Sequence, residues 1–327
     1  MLPVSSIVIG GFRKLRGFSR CLQAAQLICY NGTLENPKIV PLESPLALIN
    51  SSCIDTQRVT KFFVHGYNRS STNEECTGVM SAYISRGGVN TIVLDWGEEA
   101  KTGVMGVIMG YFNAVKNTAI IGKQFADALL TLADAGLDFD KTHLVGHSLG
   151  AQVSGITGNL IKRQGKAISR ITGLDPALPL YEGLTVIIGI NKDSASFVDV
   201  IHSDAGQYGI MGSAGTADFW PNYRLTSKVQ PGCPTGPYPL LNEEGLCSHT
   251  RSWMFFIESI YVADAFLAAS EPNYETWIQN NGTTEDIACM GEYVSNDAQG
   301  NYYLDTNGQP PYGKGKAGLT PNRGTRS

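Results

Sequence analysis

Residues 141–155, KTHLVGHSLGAQVSG, put a serine between two glycines where a β-type run turns into a helix. Thr142 to Val145 are mostly β-branched or apolar, as a strand requires, and the residues after Ser148 are mostly small, as a closely packed helix start requires. Gly146-His147-Ser148-Leu149-Gly150 fits G-x-S-x-G. Between a strand and a helix, that pattern describes a sharp turn presenting a nucleophilic hydroxyl at the C-terminal edge of a sheet. Glycine two residues to either side lets backbone pass close by without a Cβ clash. The five letters alone are weak; the strand before and the helix after make them specific. A plain βα turn without chemistry is the simpler alternative.

The alternation continues on both sides. Runs at 59–65, 90–96, 141–147, 168–175 and 196–202 are β-branched or aromatic, and several are almost continuously apolar. Strands read that way when both faces of a parallel sheet are covered. Helical spacing of apolar residues fills 111–136 and 148–165, and a late helix is expected over 249–270, after a loop rich in proline and glycine. IACMGEYV and NYYLDTN near the C-terminus read as edge strands. The class is α/β, with a mostly parallel sheet covered by helices. No repeat or linker divides the chain, so one domain is expected over 26–327. Residues 1–25 stand apart as an atypical N-terminus, because their positive charges follow the short apolar run instead of preceding it as in a signal peptide.

A net charge of −4 gives no reason to expect a nucleic-acid partner. The longest apolar stretch, GVMGVIMGYFNAV at 103–115, is too short and glycine-rich to span a bilayer. Seven cysteines show no C-x-x-C metal spacing, and four N-x-S/T sequons occur at Asn31, Asn50, Asn68 and Asn281. Scattered cysteines with several sequons point to a secreted, extracellular glycoprotein. The odd count leaves at least one thiol unpaired or paired between chains. Cys76 is expected to pair with Cys29 or Cys53.

If Ser148 is a nucleophile it needs a base, and the base needs a carboxylate to orient it. In this fold class the chain order is serine, acid, histidine, which leaves His202 and His249 among the five histidines. His202 closes a strand, where a buried hydrogen-bonded role is the ordinary one. His249 follows a long loop able to reach back over the sheet edge, and is favoured. Asp175 ends a strand just before Pro176 and is the expected acid; Asp199 and Asp204 are read as structural, and Asp193 as a solvated turn residue. The oxyanion donors are expected to be the backbone N–H groups of Leu149, after the nucleophile, and Tyr67, after the strand FFVHG.

FFVHGY, TIVLDW, HLVGHSLGAQVSG, ITGLDPA, FVDVIHSDAGQYGIMGSAGTADFWPN and CSHTRSWMFFIES, in this order over residues 59–270, resemble the pancreatic-type (animal neutral) lipase family. The resemblance implies an α/β-hydrolase fold, hydrolysis of acyl-lipid esters, and Ser148, Asp175 and His249 as the triad. It implies that Cys233 and Cys247 close a lid by a disulfide. The 13 residues between them make a lid shorter than that of pancreatic triacylglycerol lipases. In the family, short lids accompany phospholipase A1-like activity, and the chain looks closest to insect lipases and phospholipase A1-like members. Leu240, Leu241 and Leu246 are placed to meet acyl chains. The chain leaves too few residues after the late helix for the family's C-terminal β-sandwich, so no colipase partner is expected. Asn191, Asp193 and Ser194 stand where some members hold calcium. With only one acid there, neither a metal nor another cofactor is expected. The alternatives are a triacylglycerol lipase without phospholipase activity and a non-catalytic lipid-binding or storage relative.

Overall fold

Strands with two apolar faces must lie in the middle of a layered structure. The computed structural model, which describes residues 25–103, 106–182, 187–225 and 229–322, is built that way. It begins with β1 (Gln26–Tyr30), β2 (Lys38–Pro41), α1 (Leu46–Asn50), β3 (Val59–Val64), α2 (Glu74–Arg86) and β4 (Val89–Asp95). Next come α3 (Gly97–Ala100), α4 (Gly106–Asp134), β5 (Thr142–His147), α5 (Leu149–Arg163), β6 (Arg170–Leu174), β7 (Phe197–Ile201) and β8 (Ala217–Pro221). The chain continues through α6 (Glu243–Tyr261), β9 (Leu267–Ser270), α7 (Tyr274–Asn280), β10 (Ile287–Cys289) and β11 (Gly300–Leu304).

The eleven strands make one sheet in the order β10-β9-β11-β8-β7-β6-β5-β3-β4-β1-β2. Every neighbouring pair from β11 across to β4 is parallel. Antiparallel pairs occur only at the two ends of the sheet. This is the α/β-hydrolase fold. Period-two alternation sends Phe62, Val64 and Leu144 to one face, where they pack with Phe125 of α4 and Val153 of α5. Phe63 and Val145 point to the other face, against Val79 of α2 and Phe256 of α6. Phe62 and Phe125 meet edge to face with ring centroids 5.5 Å apart. Full burial of each such ring contributes about 1.5–3 kcal/mol. The winding reverses between β3 and β5: β3 leads outward to β4, and β5 leads the opposite way to β6, β7 and β8. The loops leaving these two strands diverge and open a crevice at their carboxyl ends.

Several elements differ from expectation. Helix α4 starts at Gly106, not 111. Its Gly110 does not break the helix; it admits Thr102, whose carbonyl oxygen would lie 2.1 Å from a Cβ at that position. The late helix runs 243–261 instead of 249–270: the Asn242 side chain caps it by accepting from the Gly245 N–H at 2.8 Å, and its acidic first turn, Glu243 and Glu244, suits a helix N-terminus. The following LAAS is strand β9. Of the two expected edge strands only β10 is one; β11 is interior, parallel to β8 and antiparallel to β9. Strands β1, β2 and β8 were not anticipated.

The cysteines also sort differently. Cys29 is bonded to Cys53, and Cys233 to Cys247, while Cys76 is a buried free thiol. Cys29 lies on the face of the sheet that packs with α4, and Cys76 lies on α2 in the opposite core, so the sheet separates them. Cys21 and the rest of residues 1–24 lie outside the described residues. All four sequon asparagines are exposed.

Candidate active site

At the carboxyl end of β5 the backbone turns through Ser148, which takes φ 56° and ψ −121° and caps α5. Positive φ in a residue with a Cβ costs roughly 1–3 kcal/mol and persists only where the surroundings enforce it. The glycines enforce it. A Cβ on Gly146 would lie 2.4 Å from the Gly150 carbonyl oxygen, and one on Gly150 would lie 2.0 Å from that of Val64. The Ser148 N–H is held by the Leu174 carbonyl at 3.0 Å. The first N–H groups of α5, beginning with Leu149, have no partner in the preceding helical turn and favour negative charge.

His249 lies within α6, in its second turn and not at the helix start. Its Nδ1 is 2.5 Å from Asp175 Oδ2. Asp175 is fully buried at the end of β6 with φ 43°, and its Oδ1 accepts from the Ser203 and Asp204 N–H groups at 2.8 and 2.9 Å. Gly209 packs on the carboxylate so closely that a Cβ there would fall 2.4 Å from Oδ1. Burial lowers the His249 pKa below its usual value, and the Asp175 carboxylate opposes that shift without cancelling it. The imidazole is therefore neutral at pH 7 and able to accept a proton.

Ser148 and His249 line a common cavity of about 310 Å³. Gly66 and Tyr67, from the loop after β3, line it too. The Tyr67 hydroxyl donates to the Val107 carbonyl at 2.9 Å and lies 3.0 Å from Thr102 Oγ1, tying this loop to the start of α4. Most of the remaining wall is apolar. Ile108 and Phe112 of α4 share it with Leu240, Leu241 and Leu246 of the segment closed by Cys233–Cys247. Ile108 and Leu240 are 60% and 58% exposed, so the mouth has an apolar rim. The last five residues of the anticipated lid loop are the first turn of α6.

His202 is elsewhere. It stacks on Trp220 at 3.8 Å between centroids and meets Asp218 at 2.8 Å, a buried structural arrangement. Asp199 is bound bidentately by Arg170 at 2.7 and 3.0 Å. Asn191 and Ser194 close a turn, and Asp193 beside them is paired with Lys162 at 3.3 Å. Among the described residues, Asp175, Asp204 and His249 offer ligand atoms within 4.8 Å of one another. They do not suit a cation: Asp175 already accepts from two backbone N–H groups and faces His249 Nδ1.

Two residues went unnoticed in the sequence. Glu75 of α2 is buried, its Oε2 lies 2.6 Å from His147 Nδ1, and its Oε1 accepts the Gly66 N–H at 3.1 Å. Burial alone would raise its pKa, but His147, His65 and the Gly66 N–H outweigh burial and hold it at about 2. The His147 ring lies 4.7 Å from that of His249. His147 stands inside the G-x-S-x-G motif, which was the available signal; Glu75 carries none.

The sequence profile of the lipase family matches residues 27–312. The pancreatic triacylglycerol lipase of Myocastor coypus is 31% identical over 308 residues, covering 86% of this chain and 64% of that protein. Pancreatic lipase-related protein 2 of Bos taurus is 32% identical over 247 residues, covering 70% and 50%. The chain thus spans between half and two thirds of the length of these relatives.

Proposed function

We propose, since the chain belongs to the lipase family, that it hydrolyses carboxylic esters of acyl lipids. The observation that carries this reading is a strained serine lining one apolar cavity with His249, whose Nδ1 is held by the buried Asp175. In the proposed mechanism, neutral His249, oriented by Asp175, takes the Ser148 proton as Oγ attacks the ester carbonyl. The N–H groups of Leu149 and Tyr67 hold the resulting oxyanion. His249 then returns the proton to the leaving alcohol or lysolipid, and water releases the fatty acid from the acyl-enzyme.

For the substrate we propose the sn-1 ester of phospholipids, with acylglycerols as the second reading. The Cys233–Cys247 disulfide spans a sequence separation of only 14. So small a lid covers little apolar surface and leaves room at the mouth for a polar headgroup. The names of the relatives favour the second reading. Fatty-acid release from mixed micelles of sn-1- and sn-2-labelled phosphatidylcholine, beside emulsified triolein, separates them. Predominant sn-1 release supports the first; dominant triolein hydrolysis supports the second and removes lid length as a guide. Labelling by a fluorophosphonate distinguishes both from a non-catalytic lipid binder, because only an activated serine reacts.

We further propose that the protein is secreted and acts at a lipid surface. Two disulfides and four exposed sequon asparagines support this.

A further inference from the structure

Glu75 is a buried carboxylate that the proposed chemistry does not use. It sits in the first turn of α2, where the helix dipole favours an anion, and each of its oxygens reaches a different loop. Oε1 takes the N–H of Gly66, one residue before the proposed oxyanion donor Tyr67. Oε2 takes Nδ1 of His147, one residue before Ser148. The two loops are already in contact, since a Cβ on Gly66 would lie 3.0 Å from that of Ser148. Helix α2 also touches α6, which carries His249: a Cβ on Gly78 would lie 2.7 Å from Ile257 Cδ1.

We propose that Glu75 is a positioning residue, a two-pronged clamp that sets the distance between the oxyanion N–H groups and Ser148 Oγ. The inference rests on the hydrolytic reading above. An ordinary packing role does not call for a charge, because an apolar side chain of similar size fills the same space at lower desolvation cost. What an apolar side chain cannot do is accept from both loops at once. Stabilisation of an oxyanion depends on donors about 2.7–3.1 Å from the oxygen as it forms. A shift of about 1 Å at such a site costs on the order of a hundredfold in rate. The ground-state ester is held mainly by the apolar walls, so losing the clamp affects turnover more than binding.

The test uses the whole protein, a soluble p-nitrophenyl ester, and rates divided by the number of serines a fluorophosphonate labels at completion. Glu75→Leu is expected to lose kcat about a hundredfold with KM within about twofold of the parent. Glu75→Gln, which keeps an acceptor for Gly66 and a partner for His147, is expected to stay within about tenfold. If Glu75→Leu turns over within twofold of the parent per labelled serine, the clamp is overturned; a loss found entirely in KM overturns it as well. If Glu75→Leu does not fold, Glu75→Gln, His147→Asn and their double variant decide. A double variant no slower than the worse single supports one shared device, and additive losses overturn it. A parent protein whose serine is never labelled overturns the hydrolytic reading itself, and the clamp with it.

Discussion

Two buried clusters of histidine and acid lie at opposite ends of the same parallel strands. At the amino ends Lys61, His143, Arg170, Asp199, Glu292 and Tyr83 form a closed network. His143 meets Lys61 at 2.9 Å and Thr172 at 2.8 Å, while Glu292 accepts from Lys61 at 2.8 Å, Arg86 at 2.8 Å and Tyr83 at 2.6 Å. Arg170 reaches two carbonyls besides Asp199. At the carboxyl ends Ser148 and Asp175 sit at positive φ, His147 Nε2 is buried with no hydrogen-bond partner among the described residues, and the group borders a cavity. The ingredients are alike. One cluster has spent its hydrogen-bonding capacity on the fold, whereas the other retains strain, unused capacity and an opening. Reactivity is expected where the requirements of stability are left incompletely met.

The largest expected effect is at the open cluster. Ser148→Ala should lower ester hydrolysis by at least about 10⁴-fold, to what the oxyanion donors and binding supply on their own. Its melting temperature should stay near that of the parent, because alanine keeps the backbone and removes one hydroxyl. Turnover by the purified variant, with calorimetry as control, checks this. Residual activity near the parent level would mean that another group is the nucleophile.

The closed cluster should behave in the opposite way. Arg170→Met leaves the Asp199 carboxylate buried without its ion-pair partner, a change that typically costs about 3–5 kcal/mol of stability. Activity per labelled serine should not change. Urea unfolding and active-site titration read the two quantities separately. A drop in specific activity with stability intact would erase the distinction between the two ends of the sheet.

A fall in pH should reach the clusters through different quantities. Burial lowers the pKa of both His249 and His143, the latter far below its usual value, with Lys61 and Arg170 adding to the shift. His249 must be neutral to act as base, so the acid limb of kcat/KM on a soluble ester should fall below about pH 6.5. For stability, an unfolded chain takes up protons on its histidines below about pH 6.5 that the folded His143 refuses. The unfolded state then binds more protons, so stability drops as pH falls through that value. The Glu75 contribution persists lower. Its folded pKa of about 2 lies beneath the ordinary glutamate value of 4.5, so it is lost only as pH falls from the higher figure toward the lower. Melting curves and rate profiles over pH 4–8 test the order. An acid limb above pH 6.5 would contradict the burial of His249.

The sequence showed the open cluster more clearly than the closed one, for a physical reason. Ser148 is flanked by glycines that only a backbone constraint explains, and Asp175 ends a strand before a proline; such local signatures survive in one dimension. Glu75 meets His147 across 72 residues, and Lys61 meets Glu292 across 231, with nothing at either position to mark the pairing. The same limit explains the cysteines: the sequence does not say which face of the sheet Cys29 points to, and that decides its partner. The start of α6 was misplaced because its cap, Asn242, lies inside a stretch read as loop, and β1, β2 and β8 are short runs of ordinary composition. Gly110, inside α4, is the converse case: the sequence shows only a glycine, and the fold shows the close approach of Thr102 that calls for it.

The smallest effect concerns the mouth, and it separates exposed apolar residues with a task from those without one. Leu240 and Ile188 are 58% and 67% exposed, but only Leu240 borders the cavity. Neither is buried enough for serine to change stability by more than about 0.5 kcal/mol. Leu240→Ser should leave a soluble ester unaffected, because neither Ser148 nor His249 moves. On phosphatidylcholine micelles or emulsified triolein it should lose a few-fold in rate, since one CH₂ group transferred from water is worth about 0.8 kcal/mol and a leucine at a lipid surface transfers several in part. Ile188→Ser should match the parent on all three substrates. Equal behaviour of the two variants on the lipid aggregates would make the rim an ordinary exposed surface, and the substrate would then have to reach Ser148 without the rim touching the aggregate.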